Sequence, residues 1–187
     1  MGETVETHEH AEEAAHGGRR HTALLIAVLA AGLAFSEQGA QHANTRMSQS
    51  AVAASDLWGE YQAKSTRAND TRDLAALAAM IPAAKPEDTA AVQARFAADL
   101  ARFESDPKTG KIALAAKAHD LEEARDAAHE RLEAFDNAAA ALQLGIVLTT
   151  ASVITGSLML AWGGALLGIA GGLLAVLGLF APGLASW

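Results

Sequence analysis

The sequence predicts an all-α protein with three transmembrane helices and a long helical, coiled-coil-like extramembrane part between spans 1 and 2. Three observations predict it. No Asp, Glu, Lys, Arg or His occurs from Asn137 to Trp187, a run of 51 residues, whereas about 20 apolar residues suffice for a helix to cross a bilayer. A second uncharged run, Thr22 to Ser36, follows Arg19-Arg20. Between the two, small and apolar residues recur at spacings of four and three, the period of an α-helix.

Composition narrows the function classes. Hydrophobic residues make up 51% but aromatics only 5%, because 46 residues are Ala. The 14 Lys+Arg against 22 Asp+Glu give a net charge of -8, the wrong sign for general nucleic-acid binding. The absence of Cys excludes disulfides, thiolate metal sites and a Cys nucleophile, and says little about compartment.

Residues 1–19 are acidic and His-rich and have nothing to bury, so they are expected to form a mobile tail, with Gly17-Gly18 breaking any local helix. The first span is expected over 20–42. Its uncharged core of 15 residues is about 22 Å long as a helix, short of a hydrocarbon core of roughly 30 Å. It therefore has to continue past Glu37 and Gln38 to about Gln41. A secretory signal peptide is the rival reading, with Ala31-Gly32-Leu33-Ala34 as cleavage site, but the long acidic leader fits it poorly.

Residues 43–136 are expected to form the helical extramembrane region. Met47, Ala51, Ala54, Trp58, Tyr61, Ser65 and Ala68 make one seam. Pro82 and Pro86 end that helix, and Glu87-Asp88-Thr89 begin a second with Val92, Phe96, Leu100 and Phe103 on one face. Ser105 to Gly110 is a turn. A third helix starts near Lys111. Its seam of Leu114, Ala118, Leu121, Arg125, Ala128, Leu132 and Phe135 continues in phase through Ala139 and Leu142 into the apolar run. Residues 137–187 are too long for one crossing. They are expected to form a hairpin of spans at about 138–161 and 165–184, turning at Trp162-Gly163-Gly164.

This layout resembles a family of bacterial membrane proteins called domain of unknown function 4337. The resemblance runs over nearly the whole chain: the His/Glu-rich start, Ser36-Glu37-Gln38-Gly39, the stretch Ala54 to Ser65, the helix Leu121 to Arg131 and the Gly-rich last span. The segment Ser55-Asp56-Leu57-Trp58-Gly59-Glu60-Tyr61-Gln62-Ala63-Lys64 is the most specific part. Glu37-Gln38-Gly39 departs from the Glu-Gly common in the family. The resemblance implies a bacterial inner-membrane location and three spans, and brings no known activity.

Glu37 is the first candidate, since an ionisable group at the edge of a span is a functional hypothesis by default. It continues a stripe of Ala23, Ala27, Ala30 and Ala34, followed by the candidate polar positions Gln41, Asn44 and Ser48. In an oligomer this stripe would line a vestibule; the plainer reading has Glu37 reaching the headgroup region. His8, Glu12 and His16 would share a helical face, but a mobile tail offers a metal no preorganised geometry, so no metal site is expected. Trp58 and Tyr61 read as core or helix–helix interface, and His42, His119 and His129 as isolated surface residues. Lys108-Thr109-Gly110-Lys111 lacks the glycines and the order of a phosphate loop.

The helix-packing candidates are Gly145, Thr149, Ser152 and Gly156 in the second span, and Gly164, Gly168, Gly171, Ala175 and Gly178 in the third. Such small stripes let helices approach closely where lipid supplies no hydrophobic drive. Two stripes, plus the Ala stripe of span 1, suggest contacts beyond one chain. The expected function is a non-enzymatic, self-assembling scaffold in the lipid bilayer, a homo-oligomer without cofactor or nucleic-acid partner. An accessory subunit of a larger membrane complex, or a cation-conducting oligomer with a Glu37 ring, are the alternatives. Arg19-Arg20 favour a cytoplasmic amino terminus.

Overall fold

The structure of the chain, a computed structural model, describes residues 3–81 and 86–181, and side chains for residues 20–81 and 87–181. Four helices and no strand are present among the described residues: α1 (Glu3–Met80), α2 (Pro86–Ser105), α3 (Lys111–Thr155) and α4 (Leu158–Phe180). Of these, α1, α3 and α4 are long and apolar enough to cross a membrane. The single helix expected to run from the polar region into the apolar run is α3, unbroken over 45 residues.

Two expectations are corrected. The backbone of α1 runs through Gly17-Gly18 without a break; an interior Gly costs only about 1 kcal/mol relative to Ala, which neighbouring turns offset. The side chains of His8, His10, Glu12 and His16, and the whole of Pro82, lie outside the described residues. The hairpin turn is also not at Trp162-Gly163-Gly164, which lies inside α4. It falls at Gly156-Ser157, where Gly156 has φ 67°. That left-handed conformation costs an L-residue roughly 1–2 kcal/mol and costs Gly nothing comparable. The Gly156 N–H donates to Ser152 O at 2.9 Å, closing the end of α3.

The chain divides into two compact units, one of Met1–Thr45 with Ala127–Trp187 and one of Arg46–Asp126. In the first, α1 and α3 are antiparallel: Gly32 lies against Leu142 and Gly39 against Phe135. α4 returns antiparallel along α3, with Gly164 against Gly145 and Thr149, Gly171 against Leu142 and Ala138, and Gly178 against Ala134. Ala40, Phe135, Ala138 and Ala175 form its core, joined by Leu132 and Leu174. Phe35 meets Phe135 edge to face, centroids 6.3 Å apart. Hydroxyls buried in this bundle are satisfied on their own helix: Ser36 donates to Gly32 O (3.0 Å), Thr149 to Gly145 O (2.7 Å) and Ser152 to Thr149 O (2.6 Å). None leaves a polar group facing hydrocarbon unpaired.

In the second unit, α1 carries the expected seam inward. Ala54 and Ala68 are buried, and Met47, Ala51, Trp58, Tyr61 and Ser65 half-buried. Leu114 and Ala118 of α3 are buried. α2 sits shallower, with Phe96, Leu100 and Phe103 half-buried and Val92 exposed. The turn into α3 is tied by Asp106, whose Oδ1 accepts from the backbone N–H of Lys108 (2.9 Å) and Thr109 (2.7 Å). Those bonds, the Thr109 one first, hold its carboxyl below the usual carboxylate range.

Candidate functional site

The packing stripes are spent inside the chain. Gly164, Gly168, Gly171, Ala175 and Gly178 are the buried residues of α4, and Gly145, Thr149 and Ser152 are buried on α3. A Cβ on Gly164 would meet Gly145 O at 2.7 Å and Thr149 N at 3.0 Å, besides Thr149 Oγ1. A Cβ on Gly168 would run into Leu29 of α1. The glycines are therefore what lets α3 and α4 touch backbone to backbone. Gly156 is the exception: it is exposed at the turn, and a Cβ there would meet nothing within 4 Å. Its spacing continues the stripe, but its function is the left-handed cap.

The stripe of α1 behaves differently. Ala23, Ala27, Ala30, Ala34, Glu37, Gln41, Asn44 and Ser48 are all exposed. The inward face of the span is instead Leu29, Gly32, Ser36, Gly39, Ala40 and Ala43. The two antiparallel contacts of α1 with α3 set Glu37 level with Asn137, next to Asp136. Asp136 is the last charge before the apolar run. Glu37 thus stands at the charged boundary of the bundle and not inside its uncharged layer. Gln38, the next residue, sets its Nε2 2.9 Å from Nε2 of His42, one turn along the same helix.

A second constellation lies in the Arg46–Asp126 unit, around the most specific sequence segment. The Trp58 indole N–H donates to Glu122 Oε1 at 2.9 Å. His119 Nδ1 lies 2.9 Å from Glu122 Oε2, and its ring meets Trp58 edge on with centroids 5.2 Å apart. Tyr61 packs edge on against Trp58 at 5.5 Å, and the Lys111 ammonium sits 5.3 Å from the Tyr61 ring centre. The Trp58 bond, opposed by desolvation and aided by His119 and Arg125, holds the Glu122 carboxyl below its ordinary value. Beside the cluster, Tyr61, Glu104, Lys111, Ile112 and Ala115 line an open groove of about 370 Å³. A carboxylate pinned by an indole is a strut between α1 and α3.

Sequence reasoning placed Trp58 and Tyr61 at a helix interface, and they are there. It missed their polar partner, because Glu122 is 64 residues away. It also read His119 and His129 as isolated. Each is exposed but paired one turn along its own helix, His119 with Glu122 and His129 with Glu133 (3.3 Å). The His-x-x-Glu and His-x-x-x-Glu spacings carried that signal.

The fold and these sites define an all-helical protein with three helices fit to cross a membrane. The family described as domain of unknown function (DUF4337) matches residues 19–181, and the chain belongs to it. No curated protein and no solved structure matches the chain.

Proposed function

We propose that the chain is a non-enzymatic integral protein of the bacterial inner membrane that assembles with copies of itself and carries a coiled-coil-like helical head. One observation carries the reading. The α3 and α4 stripes are used within the chain, whereas the small-residue stripe of α1 is exposed along its whole length. The outward face of α4 offers lipid large hydrocarbons, Leu166, Ile169, Leu173 and Val176. A face of Ala23, Ala27, Ala30 and Ala34 offers lipid little to pack against and another helix close approach. Its continuation through Glu37, Gln41 and Asn44 gives such a partner polar groups to pair with at the boundary.

An accessory subunit of a larger complex would use the same face with a different occupant. Native mass spectrometry from mild detergent separates the two: a homogeneous homo-oligomer supports self-assembly, and a stoichiometric foreign subunit replaces it. The double variant Ala27→Leu/Ala30→Leu should shift the distribution toward monomer, while Leu24→Ala/Val28→Ala, beside the stripe, should not. Cation conduction through a Glu37 ring has less support. Glu37 is level with Asn137, next to the charged Asp136, and the stripe through the uncharged layer carries no polar group to keep a pore wet.

A further inference from the structure

A second outward stripe lies on α3. Asp136, Ala140, Gln143, Val147, Thr150 and Ile154 follow one another at spacings of four and three, and all are exposed. Thr150 is satisfied by its own helix, donating to Ile146 O at 2.8 Å. Val147 and Ile154 suit lipid, and Asp136 stands at the charged boundary. Gln143 fits neither description. Its amide has two donors and an acceptor, and it meets no hydrogen-bond partner among the described residues.

The position of Gln143 makes that costly. It lies seven residues beyond Asp136, about 10 Å deeper along the helix. Its neighbour Leu142 packs on Gly32, within the uncharged run of α1. A glutamine side chain is too short to carry its amide back to the boundary, and hydrocarbon has no water to offer it. No comparable group stands on the outward face of α4, where the exposed large residues are hydrocarbon apart from Met159 and Trp162 near its start.

We infer that the outward face of α3 is a contact between two copies of this chain, in which the two Gln143 amides hydrogen-bond to each other across a two-fold axis. An amide is complementary to itself, donor to acceptor and acceptor to donor. A single symmetric pairing therefore engages one N–H and the carbonyl of each amide without a foreign partner. Ala140, one turn away, leaves room for the second helix. Asp136 ends the stripe at the boundary, where water and salt screen the repulsion between the two copies. A lone polar residue in an apolar seam also fixes register, since sliding the helices unpairs it. The inference rests on the self-assembly reading and names a place where copies meet, on a different helix from the α1 stripe.

The chain has no Cys, so single-cysteine variants report one position each. Full-length protein in native membranes is oxidised with Gln143→Cys, Ala140→Cys, Leu166→Cys or Ile169→Cys as the only thiol. Disulfide dimer is expected for the two α3 variants and little for the two α4 variants. In parallel, dimerisation of labelled wild type, Gln143→Asn and Gln143→Leu is measured by energy transfer in liposomes, with helix content checked by circular dichroism. Gln143→Leu should keep its helix content and weaken association roughly 3- to 20-fold, with Gln143→Asn between the two. A wild type that stays monomeric in liposomes overturns both this contact and self-assembly. An oligomer that persists unchanged in Gln143→Leu, with no crosslink at 140 or 143, overturns this contact alone and leaves assembly to α1. A foreign protein crosslinked through the Gln143→Cys variant replaces the second copy as occupant.

Discussion

Gly164 and Gly172 are eight residues apart on one helix and sit in opposite surroundings. A side chain on Gly164 would strike the α3 backbone, whereas a Cβ on Gly172 would meet nothing within 4 Å. Gly164→Ala should therefore force α3 and α4 apart and destabilise the bundle by about 1–3 kcal/mol. Gly172→Ala should be neutral or stabilise by up to about 1 kcal/mol through helix propensity. Unfolding in mixed detergent micelles measures both, and equal effects would show that the close approach carries no weight. Glu122 gives a pH-dependent counterpart. Its carboxyl is held low by the Trp58 N–H. Its contribution is thus fully present above the ordinary carboxylate range, near pH 4.3, and is lost as pH falls through the lowered value. Acid titration of thermal stability should show this loss in the wild type and a shallower one in Glu122→Gln. Identical profiles would remove the strut from the account.

At the scale of elements, the apolar period was a reliable guide and the punctuation was not. Leu114, Ala118, Ala128, Phe135, Ala139 and Leu142 are buried on α3 as their spacing requires, and Arg125 is half-buried in the seam position left for it. The five small residues of α4 are its buried face. The hairpin turn was misplaced because Gly163-Gly164 looks like a breaker in water, yet between close-packed helices in lipid a glycine pair is a contact device. The real break, Gly156-Ser157, was hidden because Gly156 continues the stripe spacing. Gly156→Ala should cost roughly 1–2 kcal/mol in the same unfolding assay, and Gly156→Asn less, because Asn tolerates the left-handed region better. The Trp58–Glu122 bond and the free amide of Gln143 were illegible for another reason. The first joins residues distant in sequence, and the second needs to be known as outward-facing before it means anything.

For the whole molecule, three helices long and apolar enough to cross a membrane predict an odd number of crossings. The amino-terminal segment and the Gly156-Ser157 turn are then expected on one side of the membrane, and residues near 60 on the other. Thiol labelling of introduced cysteines at positions 10, 60 and 157 in intact and permeabilised cells reads this directly. Positions 10 and 157 should label together and 60 from the opposite face. Labelling of 10 and 60 from one side would require an even number of crossings and undo the topology.

The shallow seat of α2 has a consequence for motion. None of its described side chains is fully buried, and its contacts include half-buried Phe96, Leu100 and Phe103 and the ion pair of Glu104 with Arg72. A helix with so little enclosed area opens without the rest of its unit having to unfold. In hydrogen–deuterium exchange its amides should therefore take up deuterium well before those of residues 114–128. Raising the salt should speed α2 further as the exposed ion pair is screened. Exchange of α2 in step with α3, indifferent to salt, would mean that the three helical segments open only as one.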